Sequence, residues 1–164
     1  MKPGGARRKG FSFEREVAQT LRTIYDPIEL RMAMSKAKPA ERVVLLKQSR
    51  VRRGEQAHGA MEPDVVVEDS PLWIECCDSA KDMARAKLEQ ATRDTRECRL
   101  AKSWPIAVTH RKRAKTSRAT MSLKTLMEIF AACDEGDRDL RAECFCVVDV
   151  DWSQLVSLLA AGRK

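Results

Sequence analysis

Aromatic side chains are scarce in this 164-residue chain, which has three Trp, four Phe and one Tyr, 5% of the total. They are not interleaved with the basic runs, which argues against a base-stacking platform for single-stranded nucleic acid. Trp73, Trp104 and Trp152 read instead as core or interface anchors. No apolar run approaches the roughly 18 residues needed to cross a bilayer, and no apolar stretch follows the basic start (Lys2, Arg7, Arg8, Lys9) as a signal peptide requires. A cytoplasmic protein with no membrane partner is expected. The two histidines, His58 and His110, and the six cysteines show none of the C-x2-C or H-x3–5-H spacings of a structural zinc site. Cys76 and Cys77 are adjacent and Cys144 and Cys146 are one apart, a poor framework for three disulfides, so reduced thiols are expected. Cys98, Cys133, Cys144 and Cys146 then read as small core residues. There is no internal repeat and no low-complexity tract, and the length suits a single domain over 1–164.

The net charge is +7, and it is unevenly spread. Residues 1–61 carry +8, residues 62–102 carry −3, residues 103–118 carry +5 with no acid, and residues 119–164 carry −3. Two basic blocks thus flank an acidic middle, the pattern expected where phosphates are drawn toward a site whose own ligands are carboxylates. The run Arg111, Lys112, Arg113, Lys115, Arg118 has no Trp, Phe or Leu opposite its charges, so a nucleic acid suits it better than a membrane surface.

Residues 1–10 read as a basic N-terminal arm. Phe13, Val17, Leu21 and Ile24 recur at helical spacing and predict a first helix from Phe11 that ends before Asp26-Pro27. Two shorter helical patterns follow, over 28–34 and 40–47, separated by Lys38-Pro39. Residues 49–62, polar and with two glycines, read as a mobile basic loop. The β-branched run Asp64-Val65-Val66-Val67-Glu68, the turn signal Asp69-Ser70-Pro71 and the segment 72–77 predict a β-hairpin. A long helix is expected over 81–100, a buried strand over 105–109, and a helix capped by Ser122 that runs to Phe130. An acidic loop over 134–139, a last strand over 144–150 and a closing helix over 152–159 complete an α/β domain, a small mixed β-sheet flanked by helices.

Asp64 opens the first strand of the hairpin and Glu75 lies near the end of the second, so an antiparallel pairing brings their carboxylates together. Glu75 shares a strand face with Trp73 and Cys77, while Ile74 and Cys76 point to the other face. Two carboxylates held together resist ionising unless a cation sits between them, and oxygen-only ligation suits Mg2+ or Mn2+ rather than zinc.

Pro63-Asp64 followed by Ile74-Glu75-Cys76-Cys77 resembles the PD-(D/E)xK motif of the restriction-endonuclease-like nucleases. The segment Lys9-Gly10-Phe11-Ser12-Phe13-Glu14-Arg15-Glu16 resembles the opening helix of archaeal and phage Holliday-junction resolvases. The likeness covers about residues 9–110. It implies a restriction-endonuclease-like core in which Asp64, Glu75 and the backbone carbonyl of Cys76 hold the metal. By the same resemblance Glu14 is the helix-borne acid that supports it, and Gln90 is a polar position beside the site. It further implies a homodimer, with one phosphodiester hydrolysed per subunit on a two-fold junction.

One departure from the family pattern is Cys77, which stands where the family has a lysine. A thiol, with a pKa of about 8.5 that rises beside carboxylates, brings no positive charge at neutral pH. Three readings follow. Lys81 could reach back as a migrated lysine; the metal alone could carry reduced activity; or the chain could bind branched DNA without cutting it. The expectation is an Mg2+-dependent endodeoxyribonuclease acting on four-way junctions or other branched DNA. Its alternatives are a non-cleaving DNA-binding protein and a flap or end nuclease. Lys9, Arg50, Arg52, Arg53, Arg111, Lys112 and Arg113 are the expected phosphate contacts, which position DNA without reading bases.

Overall fold

The computed structural model describes residues 5–55, 62–100, 102–111, 114–133 and 147–162, with the backbone alone for 5–11 and 133. Six strands form one sheet in the order β1-β2-β3-β4-β5-β6, with β1 Val51–Arg53, β2 Val65–Val67, β3 Leu72–Ser79, β4 Trp104–Arg111, β5 Arg118–Ser122 and β6 Val147–Asp151. All neighbours are antiparallel except β3 and β4, which run parallel with Ile74 opposite Ile106. A parallel pair needs a crossover, and α4 (Ala84–Glu97) supplies it. The fold is therefore α/β, a mixed sheet flanked by helices.

α1 (Gly5–Tyr25) lays Phe13, Val17, Ala18 and Leu21 on one face of the sheet, against Val65, Ile74, Cys76, Ile106 and Val108. Leu155 and Leu159 of α6 (Trp152–Ala161) join the same core. Because side chains alternate along a strand, Trp73, Glu75 and Cys77 face the other side, which α4 covers with the buried Leu88 and Ala91. β3 is consequently buried on both faces over most of its length, as central parallel strands are.

Caps set several boundaries. Ser122 Oγ accepts from the Thr125 N–H at 3.0 Å and starts α5 (Leu123–Cys133); Asp151 Oδ1 accepts from the Ser153 N–H at 2.9 Å and starts α6. α4 ends in a Schellman arrangement, the Leu100 N–H on the Thr95 carbonyl and the Arg99 N–H on that of Arg96, with Arg99 at φ 55°. α2 (Ile28–Lys36) and α3 (Pro39–Leu46) form a hairpin between α1 and β1 and leave Ile28, Met32, Val43 and Val44 exposed.

Three expectations are corrected. The basic arm over 1–10 overlaps α1, which begins at Gly5; Ala6, Arg7, Arg8 and Lys9 are helix formers, and the helix runs on through Gly10. The loop over 49–62 contains β1, whose three residues are too few for a periodic signal and which depends on partners distant in sequence. Val51 pairs with Val67, and its carbonyl accepts from Arg22 Nε at 3.1 Å, tying β1 to α1. The basic run before Ser122 ends in β5, where buried Ala119, Thr120 and Met121 carry little β-branched character. Residues 134–146, with the acidic loop, Cys144 and Cys146, lie outside the described residues, as does His58.

Candidate active site

The carboxylates of Asp64 and Glu75 meet at one ammonium group. Asp64 lies just before β2 and reaches across to β3, where its Oδ2 accepts from the backbone N–H of Cys76 at 2.8 Å. Its approach depends on Gly54: the Gly54 N–H donates to the Asp64 carbonyl at 3.0 Å, and a Cβ on Gly54 would stand 2.0 Å from the Pro63 oxygen. Glu75 is 3% exposed on the α4 face of β3. Its Oε1 accepts from Trp73 Nε1 at 3.3 Å, and its Oε2 from Gln90 Nε2 at 3.1 Å and Lys87 Nζ at 3.2 Å. Lys87 Nζ also lies 3.7 Å from Asp64 Oδ2. Residues three apart on a helix share a face, so Lys87 and Gln90 of α4 reach the same carboxylate.

Glu14, on α1 and 6% exposed, is held separately: Arg53 of β1 donates to its Oε2 from Nε at 2.9 Å and from a terminal nitrogen at 2.6 Å. Three carboxylates thus share the end of the sheet with two cations, and the protonation equilibria reflect it. Burial, then the charge of Asp64, pushes the Glu75 carboxyl up to about 7, against the pull of Lys87. Burial also raises Glu14, less the effect of its bond from Arg53. For Lys87, burial lowers the ammonium's pKa, but Asp64 and Glu75 together outweigh it and the net shift is upward. Lys87 is therefore a lasting positive charge at neutral pH. The Cys77 thiol is raised, mainly by burial, and is neutral.

The structure thus gathers Asp64, Glu75, Gln90 and the backbone of Cys76, and sets Glu14 beside them with Arg53. Cys77 is half-buried next to Glu75's face, opposite Thr109 of β4. Lys81 is exposed in the β3–α4 connection and, among the described residues, its side chain makes no ion pair. The cation on both carboxylates is Lys87, six residues further on. The sequence expectation of a helix over 81–100 singles out Gln90 but not Lys87; the spacing of three between them is the signal that could have found it. Of the expected phosphate contacts, Arg50 and Arg111 are exposed, Arg52 is ion-paired with Glu62, and Arg53 is engaged by Glu14. The side chain of Lys9 and all of Lys112 and Arg113 lie outside the described residues. His110 Nδ1 lies 3.3 Å from Ser117 Oγ, a local contact.

Among the described residues no group of three or more His, Cys, Asp or Glu side chains gathers as an ion cage. What the site offers is a pair of neighbouring carboxylates, an oxygen donor set that fits a hard divalent cation rather than zinc or copper. No helix among the described residues is long and apolar enough to cross a membrane. The chain matches no family model, and the comparisons with curated proteins and with solved structures find no match either.

Proposed function

We propose that the chain is a metal-dependent endodeoxyribonuclease, similar to Holliday-junction resolvases of the PD-(D/E)xK class, which hydrolyses phosphodiesters in branched DNA as a homodimer. The observation that carries this reading is Lys87 Nζ against both Asp64 and Glu75, with Gln90 on the same helix face. It supplies the cation that Cys77 cannot, from α4 instead of β3.

Asp64, Glu75 and the Cys76 carbonyl would hold Mg2+ or Mn2+, with Glu14 in support. When bound, the ion supplies a water of lowered pKa and charge stabilisation at the phosphate. Lys87, protonated at neutral pH, acts electrostatically: it offsets charge on the pentavalent phosphorane and orients water by donating a hydrogen bond. It is not a general base, because its pKa is raised. Gln90 and Trp73 fix both oxygens of Glu75, and the Cys76 N–H fixes Asp64.

A second reading, a DNA-binding protein that does not cut, is favoured by Glu14's commitment to Arg53, which leaves only Asp64 and Glu75, themselves paired with Lys87, to hold a metal. Incubating a labelled four-way junction with Mg2+ or Mn2+ separates the two. Cleavage by the wild type that Asp64→Ala abolishes supports the nuclease. Binding without cleavage supports the second reading, and cleavage confined to flap or linear substrates redirects the reading to an end or flap nuclease.

A further inference from the structure

Next to the carboxylates, on the same face of the sheet, lies a pocket that the chemistry above leaves unused. Cys77 pairs with Thr109 and Ser79 with Arg111 across β3 and β4, and Arg118 of β5 lies opposite Thr109. Strand alternation puts these side chains on the α4 face together with Glu75. Lys81, leaving β3, lines the pocket with them. At a rise of about 3.3 Å per residue, Cys77 and Ser79 stand about 7 and about 13 Å from Glu75 along the strand. The pocket is therefore adjacent to the candidate cleavage point and does not coincide with it.

Its charge is uncommitted. Lys81, Arg111 and Arg118 are exposed, and among the described residues none of the three makes an ion pair. By contrast Arg52, Arg53 and Lys87 are each ion-paired with an acid. Two acids also line the pocket, but neither is ion-paired with its cations: Asp82 Oδ1 accepts from the Ala84 N–H at 3.2 Å, and Asp149 Oδ1 accepts from Thr120 Oγ1, so three cations stand against two carboxylates. Free ammonium and guanidinium groups around the hydroxyls of Ser79 and Thr109 are the donor set that holds phosphate oxygens.

The geometry points to a phosphate-binding subsite formed by Ser79, Lys81, Thr109, Arg111 and Arg118, which holds a backbone phosphate of the cut strand beside the one hydrolysed at Asp64 and Glu75. The DNA strand then crosses the end of the sheet from β2 toward β5. That the ligand is DNA rests on the nuclease reading; that it is a phosphate rests on the pocket alone.

Two arms test this with Arg111→Gln/Arg118→Gln, and with Lys81→Gln as a second variant. In the first, inorganic phosphate is titrated into 15N-labelled protein and the Ser79 and Thr109 amide signals are followed. Saturable shifts in the wild type that vanish in the double variant support the subsite; their absence in the wild type overturns it. In the second, binding of a labelled four-way junction is measured over a range of salt. Losing two phosphate contacts makes the log–log salt slope shallower by about 2 in the double variant and by about 1 in Lys81→Gln. KM for cleavage rises about tenfold in the double variant while kcat changes less than about twofold, as for uniform binding. Wild-type DNA binding with an unchanged slope in both variants overturns the subsite and leaves the nuclease reading standing. Phosphate shifts at Ser79 and Thr109 without DNA binding keep the subsite and overturn the nuclease reading.

Discussion

Asp26 and Glu75 are both buried carboxylates, 4% and 3% exposed, yet their surroundings differ in kind. Asp26, in the turn after α1, accepts from Ser49 Oγ at 2.8 and 3.0 Å and from the Arg50 N–H at 2.9 Å. All of these donors are uncharged, and among the described residues no second acid shares them. The result is a clamp between the end of α1 and the start of β1, reinforced by Arg22 Nε on Ser49 Oγ at 3.2 Å. Glu75 shares one ammonium with Asp64, and burial with that neighbour holds its carboxyl at about 7. Burial is common to both acids; crowding by a second acid is what marks Glu75 as a candidate for chemistry.

The largest effect that separates the two is kinetic. Lys87→Ala removes the charge shared by Asp64 and Glu75 and, on the proposed nuclease reading, should lower kcat for junction cleavage by about 10²–10³. Single-turnover assays measure it, and a loss under threefold would make Lys87 a structural partner only.

Next comes the pH dependence of stability. Glu75 holds its proton more tightly in the folded protein than the ordinary 4.5 implies, so its stabilising contribution is complete below pH 4.5 and is lost as pH rises to about 7. The loss is roughly 3 kcal/mol above that range. Urea unfolding at several pH values should show this decline, and Glu75→Gln should flatten it and leave the variant more stable than wild type at pH 8. An equally steep decline in the variant would place the strain elsewhere.

Asp26→Ala should do the reverse. It takes the acceptor from the Arg50 N–H and leaves Ser49 Oγ with only its bonds to Val51 and Arg22, lowering stability by about 2 kcal/mol, while the cleavage rate of the folded fraction stays unchanged. The smallest effect is expected for Lys81→Gln, which should raise KM about threefold, as one lost phosphate contact does at moderate salt, and leave kcat nearly untouched. A drop in kcat as large as that of Lys87→Ala would return the catalytic charge to Lys81.

The α/β class and most of the helices were legible because their signals are local. The period of Phe13, Val17 and Leu21, the Ser122 cap and the Asp69-Ser70-Pro71 turn, with Asp69 at φ 54°, need no distant partner to be read. β1 and β5 were hidden because they are short, three and five residues, with little periodic apolar signal, and because their residues Arg52, Arg53 and Arg118 read as surface charge. Asp64, Glu75 and Gln90 were found as candidates from spacing and resemblance. Lys87 was not, since the fold of α4 onto β3, rather than any motif, carries an ordinary helix lysine to two carboxylates. Arg53 was assigned to phosphates for a similar reason: its pairing with Glu14 crosses from β1 to α1 over 39 positions.

The most direct test of the catalytic assignment moves the lysine. Cleavage of a labelled four-way junction in Mg2+ or Mn2+ should be compared among the wild type, Lys87→Ala, and Lys87→Ala with Cys77→Lys. If Lys87 does from the helix what the lysine of PD-(D/E)xK nucleases does from the strand, as proposed, the single variant loses cleavage and the double variant regains a large part of it. Undiminished cleavage by Lys87→Ala would contradict the account.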